Sequence, residues 1–307
     1  MRSLKLKLIV FLSPLVLLFG ITEFFYRITP NNYSVKKQYI TNHSKDIEVV
    51  LFGDSHCFYG LNPIYFSKNT FNFSNVSQTI YFDKLLLEKY LDKLPELKQV
   101  IFCIEYTNLS QEDNTGDDVI RKYYYQHFME LEVPLISKFD PKQYSLTLTQ
   151  SFDRTLDLYT RYFKTGTISD CNSNGWGNNY KKENRIPPIE VAELRAKIQE
   201  DGLINFDINT NRIKQIISEC KQRNIQVFIV SMPQTNLFES YLNQKKLQKI
   251  IFTCSKFEKD NKENVHYLNL FNDKRFVDED FFDADHLNDI GSIKCSKIVN
   301  KFINEFD

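Results

Sequence analysis

The chain has 307 residues, 42% of them hydrophobic and 25% charged, enough to bury one sizeable core with room for an inserted subdomain. Basic and acidic residues both number 39, so the formal net charge is zero and no global field draws the molecule onto nucleic acid or an anionic surface. Glycine is scarce, at 9 residues against 26 Phe and 17 Tyr, so each glycine carries more weight as a signal.

Arg2, Lys5 and Lys7 precede an uncharged stretch from Leu8 to Thr22, after which Phe24, Phe25 and Tyr26 lie between Glu23 and Arg27. With Leu4, Leu6 and the aromatic group, the apolar reach is about 20 residues, enough to cross a bilayer. No small-x-small cleavage site follows, so an uncleaved signal anchor over residues 1–27 is expected ahead of a cleaved signal or a buried helix. Basic residues before the run and few after it place the N-terminus in the cytoplasm and the remainder outside. Residues 28–45 are polar and Asn-rich and read as a tether.

The globular part begins near Asp46. Val49 to Phe52 is an unbroken apolar run that closes on Gly53-Asp54-Ser55-His56, the pattern of a strand buried on both faces of a parallel sheet. A short strand is expected at Thr70 to Phe73, a helix carrying Leu85, Leu86, Tyr90, Leu91 and Leu94 and closed by Pro95, and a third strand from Gln99 to Glu105. Ile213, Ile216, Ile217 and Cys220 mark an amphipathic helix that leads to a strand from Ile225 to Val230. A helix from Ser240 to Phe257, a strand from Val265 to Leu270 and a helix from Asn288 to Phe306 complete the series. Alternating strands and helices predict an α/β fold: a flavodoxin-like three-layer sandwich with a mostly parallel five-stranded sheet. The interval between strands three and four far exceeds an ordinary connection, and about 110–210 is expected to form a helical cap. Within it Tyr123 to Tyr125, Phe152 to Phe163 and Val191 to Gln199 read as helical, and Cys171 to Tyr180 as loop.

Two strings carry chemistry. Gly53-Asp54-Ser55 places a hydroxyl just beyond the carboxyl end of the first strand, where the ligand crevice of an open α/β sheet lies. Asp283-Ala-Asp-His286 sets a carboxylate three residues before an imidazole, so that one turn brings Asp283 to Nδ1 and leaves Nε2 free to take a proton from Ser55. Asp285 is the competing orienter. Taken singly, the first string is also an ordinary strand-to-helix turn and the second an acidic loop. Six cysteines are scattered without C-x-x-C spacing, and no P-loop or His-Glu-x-x-His string is present, so neither a metal nor another cofactor is expected. Metal-assisted phosphoester hydrolysis would rest only on the acidic crowding around Asp278 to Asp285.

With Gly53-Asp54-Ser55 after the first strand, an Asn72 block after the second, and Phe282-Asp-Ala-Asp-His-Leu-Asn288 with Gly291 before the last helix, the chain resembles the SGNH, or GDSL-type, hydrolase superfamily. More narrowly, it resembles the membrane-anchored SGNH-like proteins of bacterial surface-polysaccharide and teichoic-acid acyl modification. The resemblance spans about residues 46–110 and 220–306. It implies Ser55, His286 and Asp283 as catalytic residues, and an oxyanion hole from the backbone N–H groups of Ser55 and Ser77 with the Asn108 side chain. Ser77 stands where the family has glycine, and Tyr106-Thr-Asn108-Leu109 where it has Gly-x-Asn-Asp. The implied activity is that of an extracytoplasmic serine esterase or O-acyltransferase at the bacterial cytoplasmic membrane. Its substrate would be an acylated glycan or another acyl ester, and its partners envelope-biosynthesis proteins. The alternative is a catalytically degenerate binding or assembly component.

Overall fold

The computed structural model describes residues 2–306. In chain order the elements are α1 (Arg2–Ile28), α2 (Asn32–His43), β1 (Val49–Phe52), α3 (Ser55–Gly60), β2 (Thr70–Asn72), α4 (Ile80–Tyr90), β3 (Gln99–Ile104), α5 (Asp118–Met129), α6 (Phe152–Thr165), α7 (Pro188–Gln199), α8 (Asp207–Gln222), β4 (Gln226–Ser231), α9 (Asn236–Tyr241), α10 (Gln244–Asp260), β5 (Val265–Asn269) and α11 (Asp289–Ile303). They group into two compact units, Met1–Ser34 with Val119–Ser169, and Val35–Asp118 with Asp170–Asp307. The long insertion is thus divided: its first part belongs with the N-terminal helix, and its second part with the sheet.

The second unit is built on one five-stranded sheet in the order β2-β1-β3-β4-β5. Every pairing is parallel, as in Val50 opposite both Phe71 and Val100 and in Ile229 opposite Phe102. This is the flavodoxin-like α/β arrangement. Alternate residues serve opposite faces of the sheet. Val49, Leu51, Ile101, Cys103, Phe228 and Val230 join Cys57 and Leu61 of the α3 region and Cys295, Val299 and Ile303 of α11 in one buried core. On the other face Phe52 stacks on Phe73, which meets Tyr90 of α4, and α4 and α8 pack together. The strand order reverses between β1 and β3, so the loops after those two strands open onto the ligand-binding edge of the fold. All six cysteines are buried.

The stretch read as a tether is helical. Asn31 Oδ1 accepts the N–H groups of Tyr33 and Ser34 and so caps α2. Within the second unit Tyr39 stacks on Phe71 at 4.9 Å, Ile40 is buried, and the Lys36 ammonium donates to the carbonyls of Asn72, Ser74 and Gly175 at 2.7, 2.7 and 2.8 Å. A lysine on the buried face hides the apolar stripe that would have revealed this helix in the sequence. Elsewhere the differences are small: the helix expected over 240–257 is two helices, α9 and α10, because Asn243 caps a new start by accepting Lys245 N–H and Lys246 N–H.

In the first unit α1 is an unbroken helix, with Pro14 inside it, long and apolar enough to cross a membrane. Its side chains are exposed through most of the run, including Phe11, Val16 and Leu17. Near its C-terminal end the pattern changes. Phe25 and Tyr26 are buried with Leu146, Leu158 and Ile168, and Phe25 stacks on Tyr159 of α6 at 4.2 Å. Glu23 accepts from Ser145 Oγ at 2.8 Å and from Thr147 N–H at 3.0 Å, and Arg27 donates to the Tyr144 carbonyl at 2.8 Å.

Candidate active site

Ser55 is the first residue of α3, directly beyond β1. Gly53 turns the chain there with φ +137, and a Cβ on it would lie 3.0 Å from the Cβ and the carbonyl oxygen of Cys103, so no side chain fits. Asp54 caps α3 by accepting His56 N–H at 2.8 Å. Asn72, at the end of β2, donates to the Cys57 and Leu61 carbonyls at 3.2 and 3.0 Å and ties the far end of α3 to the sheet. The serine is therefore mounted on a short helix fixed at both ends.

His286 comes from the loop ahead of α11. That loop closes on itself through Phe282 N–H donating to the His286 carbonyl at 2.8 Å, and Asp283 Oδ1 accepts the N–H groups of Asp285 and His286 at 3.1 and 2.8 Å. Asn288 caps α11 by accepting Ile290 and Gly291 N–H, and its amide donates to the Glu279 carbonyl at 2.7 Å. Gly291 lets the helix approach: a Cβ there would sit 2.1 Å from the Asp280 carbonyl oxygen. Asp283, Asn288 and Gly291 of the string thus each hold this loop against α11.

The two strings meet. Ser55 Oγ lies 2.8 Å from His286 Nε2, and His286 Nδ1 is 3.1 Å from both Asp283 carboxylate oxygens. Asp285 stands further off, its Oδ1 3.6 Å from Nδ1. Nδ1 donating to Asp283 leaves Nε2 as the acceptor for the serine proton, which is the geometry of a hydroxyl nucleophile, a base and its orienter. Asp283 and His286 are buried, whereas Ser55 is half-buried and so open to a reactant.

Asp285 does something the sequence did not suggest. Its carboxylate takes a two-pronged contact from the Arg195 guanidinium, with Nη2 to Oδ2 at 2.9 Å, together with Gln199 Nε2 at 2.5 Å and His56 Nε2 at 3.2 Å. His56 reaches Asp54 Oδ1 with its other nitrogen at 3.1 Å and stacks on the His286 ring at 4.3 Å, 18° from parallel. Burial opposes charge on His56, but the Asp54 carboxylate outweighs it, and the imidazole is held well above its ordinary value of 6.5. Burial likewise works against the Asp285 carboxylate, yet His286, His56 and Arg195 hold it well below 3.8. Burial and the neighbouring Asp54 charge push Glu105, at the end of β3, up to about 7. Arg195 and Gln199 are one helical turn apart on the face of α7 that also buries Ala192 and Ala196, so the second part of the insertion completes the site. Arg195 Nη2 is also 3.3 Å from His286 Nδ1, a contact of two donors when Nδ1 carries the proton.

The expected oxyanion donors fare differently. Ser55 N–H opens α3 and has no partner within the helix. Ser77 adopts φ +55, the left-handed conformation that glycine takes without cost, and its hydroxyl donates to Asp117 at 2.8 Å. Asn108 is engaged elsewhere: Nδ2 donates to Asp54 Oδ2 at 3.1 Å and Oδ1 accepts Glu105 N–H at 2.7 Å. Through these bonds it positions Asp54 and the loop after β3. Beside His286, Tyr180 is sandwiched between Tyr59 and Phe282 at 3.7 and 3.9 Å, and Trp176 Nε1 donates to the Tyr59 carbonyl at 2.8 Å, so Cys171 to Tyr180 is an ordered wall of the site.

Among the described residues two acid and imidazole groups have ligand atoms close enough to share a cation, His56 with Asp285 and His286, and Asp54 with His56 and Glu105. The donors do not fit one well. Each ring nitrogen of His56 faces a carboxylate, and a cation at Asp285 would meet the Arg195 guanidinium.

No family model matches the chain, and no curated protein matches it. Solved structures similar to it include a GDSL-like lipase from Bacteroides thetaiotaomicron, at 12% identity over 89% of this chain and 99% of that one with a TM-score of 0.41. A protein described as an acylhydrolase from Bacteroides fragilis aligns at 10% identity over 88% and 97% of the two chains with a TM-score of 0.43. A third, described as a platelet activating factor from Streptococcus pneumonia, gives 12% identity, 89% and 92% coverage, and a TM-score of 0.42.

Proposed function

We propose that the sheet-containing unit is an SGNH-type serine esterase or O-acyltransferase that works through an acyl-enzyme on acyl esters, acetyl foremost, of a cell-surface glycan. The observation that carries this reading is the hydrogen-bonded line from Asp283 through His286 to Ser55, with 3.1 and 2.8 Å steps. His286 Nε2 takes the hydroxyl proton as Ser55 Oγ bonds to the ester carbonyl carbon, and the carbonyl electron pair moves onto oxygen. The Ser55 and Ser77 N–H groups are the donors offered to that oxyanion. Collapse expels the alcohol, which takes the proton from His286 and leaves the acyl group on Ser55. Water then releases the acyl group as a carboxylate, or a sugar hydroxyl takes it, with His286 again moving the proton. Helix α1, with Arg2, Lys5 and Lys7 ahead of its apolar run, supports an anchor with the N-terminus inside and the reactive unit on the outer side of the cytoplasmic membrane. Such an anchor favours a substrate held at the membrane over a free metabolite.

A second reading, a degenerate binding component, is favoured by one observation, the commitment of Asn108 to Asp54. One comparison separates the two. The wild-type protein is expected to be labelled by a fluorophosphonate and to hydrolyse p-nitrophenyl acetate, with both lost in Ser55→Ala by a factor of about 10³ or more. Equal behaviour of the two proteins in both assays would remove Ser55 as the nucleophile and leave the binding reading standing.

A further inference from the structure

We propose that helix α6 lies in the headgroup layer of the bilayer that α1 crosses, an interfacial arm that sets an aromatic stripe into the membrane beside the anchor. The proposal rests on reading α1 as a membrane span. Along α6, Phe152, Leu156, Tyr159 and Phe163 recur at helical spacing and share one stripe, flanked on one side by Asp153, Asp157, Thr160 and Lys164, while Arg154, Arg161 and Thr165 occupy the opposite side. Of the stripe only Tyr159 helps to hold α6 in its unit. The rest of that work falls to an adjacent face, where Thr155 and Leu158 are buried and Thr155 Oγ1 is 2.8 Å from Tyr26 Oη. Phe152 and Phe163 are left 70% and 81% exposed.

Where the stripe sits identifies what covers it. Tyr159, its midpoint, stacks on Phe25 and donates to Thr22 Oγ1 at 3.3 Å, so α6 is seated on the last turns of α1. There the uncharged run ends and Glu23 and Arg27 begin, the level at which a spanning helix leaves the hydrocarbon. Phe24 and Ile28 of α1 are themselves exposed at this level. A helix with one aromatic and aliphatic stripe, a charged opposite face and a fixed seat at the membrane boundary has the form of an interfacial helix. Aromatic side chains are also those enriched at that depth. A protein partner would have to reach the stripe at the same level as the lipid around α1.

The test uses the full chain in vesicles of phosphatidylcholine and phosphatidylglycerol. All six native cysteines are buried, so a maleimide fluorophore reports a single introduced thiol. Phe163→Cys probes the stripe, Asp157→Cys the exposed polar flank and Val16→Cys the middle of α1. The label at position 163 is expected to be quenched by lipids carrying a nitroxide near the headgroup, and to be several-fold less accessible to aqueous iodide than the label at 157. Equal iodide access at 163 and 157, with the label at 16 in the bilayer, would overturn the interfacial arm. Protection at 163 without quenching by lipid would overturn it too, in favour of a covering protein. A label at 16 that is open to iodide would remove the anchor itself, and the arm with it.

Discussion

His56 has no neutral form that suits both of its neighbours. Nδ1 faces Asp54 at 3.1 Å and Nε2 faces Asp285 at 3.2 Å, so an uncharged ring would point a lone pair at a carboxylate. It is a fixed imidazolium lying flat against the proposed base, in a cluster where Asp54, Glu105, Asp285 and Arg195 are the other charged or titratable neighbours. In His56→Gln the ring no longer bridges Asp54 and Asp285, and kcat/KM for p-nitrophenyl acetate is expected to fall about tenfold. An unchanged value would make His56 a spacer only. The sequence showed Ser55, Asp283 and His286 because each belongs to a string whose neighbours build its own turn or cap. It was silent about His56 and Arg195 because their meaning lies in Asp285, 229 and 90 positions away, and distance along a chain carries no signal of contact.

The loop and helix that present His286 depend on a close backbone approach. Since a Cβ at Gly291 would fall 2.1 Å from the Asp280 carbonyl, Gly291→Ala must push α11 away from the loop whose other end holds Asp283 and His286. The expected cost is about 1–3 kcal/mol of stability, read as a lower denaturant midpoint at unchanged slope, with activity falling further than the stability loss explains. The strands and most helices were legible because their apolar patterns are local and regular. Helix α2 was not, because its buried face includes Lys36, which three carbonyls solvate in place of water. Nor could composition show that the insertion divides between two units, since both of its parts mix helices with polar loops.

Across the whole molecule the buried titratable groups give stability a definite pH dependence. Glu105 and Asp83 are pushed up to about 7, Asp83 by burial above all, so the folded chain keeps protons that unfolded carboxyls release near 4.5 and 3.8. That favours folding at low pH and is lost as pH rises towards 7. His56, raised above 6.5, adds stability that is complete below that value and disappears as pH climbs through its folded pKa. Asp54 and Asp285, depressed below 3.8, contribute stability that is lost in acid. Burial brings Lys36 down to about 8, which restores some stability only between there and 10.5. Melting curves in detergent are thus expected to peak near pH 5 and to fall by several degrees at pH 8; a maximum at pH 8 would contradict this balance.

The cysteines gain a use from their placement. Cys57, Cys103 and Cys295 share one core cluster, and Cys57 and Cys103 lie against the Gly53 turn that presents Ser55. A thiol so enclosed reacts only during moments when the structure opens, so the rate at which it is captured is a clock for that opening. Two of the native sulfurs, those of Cys57 and Cys103, therefore time the breathing of the serine's own support.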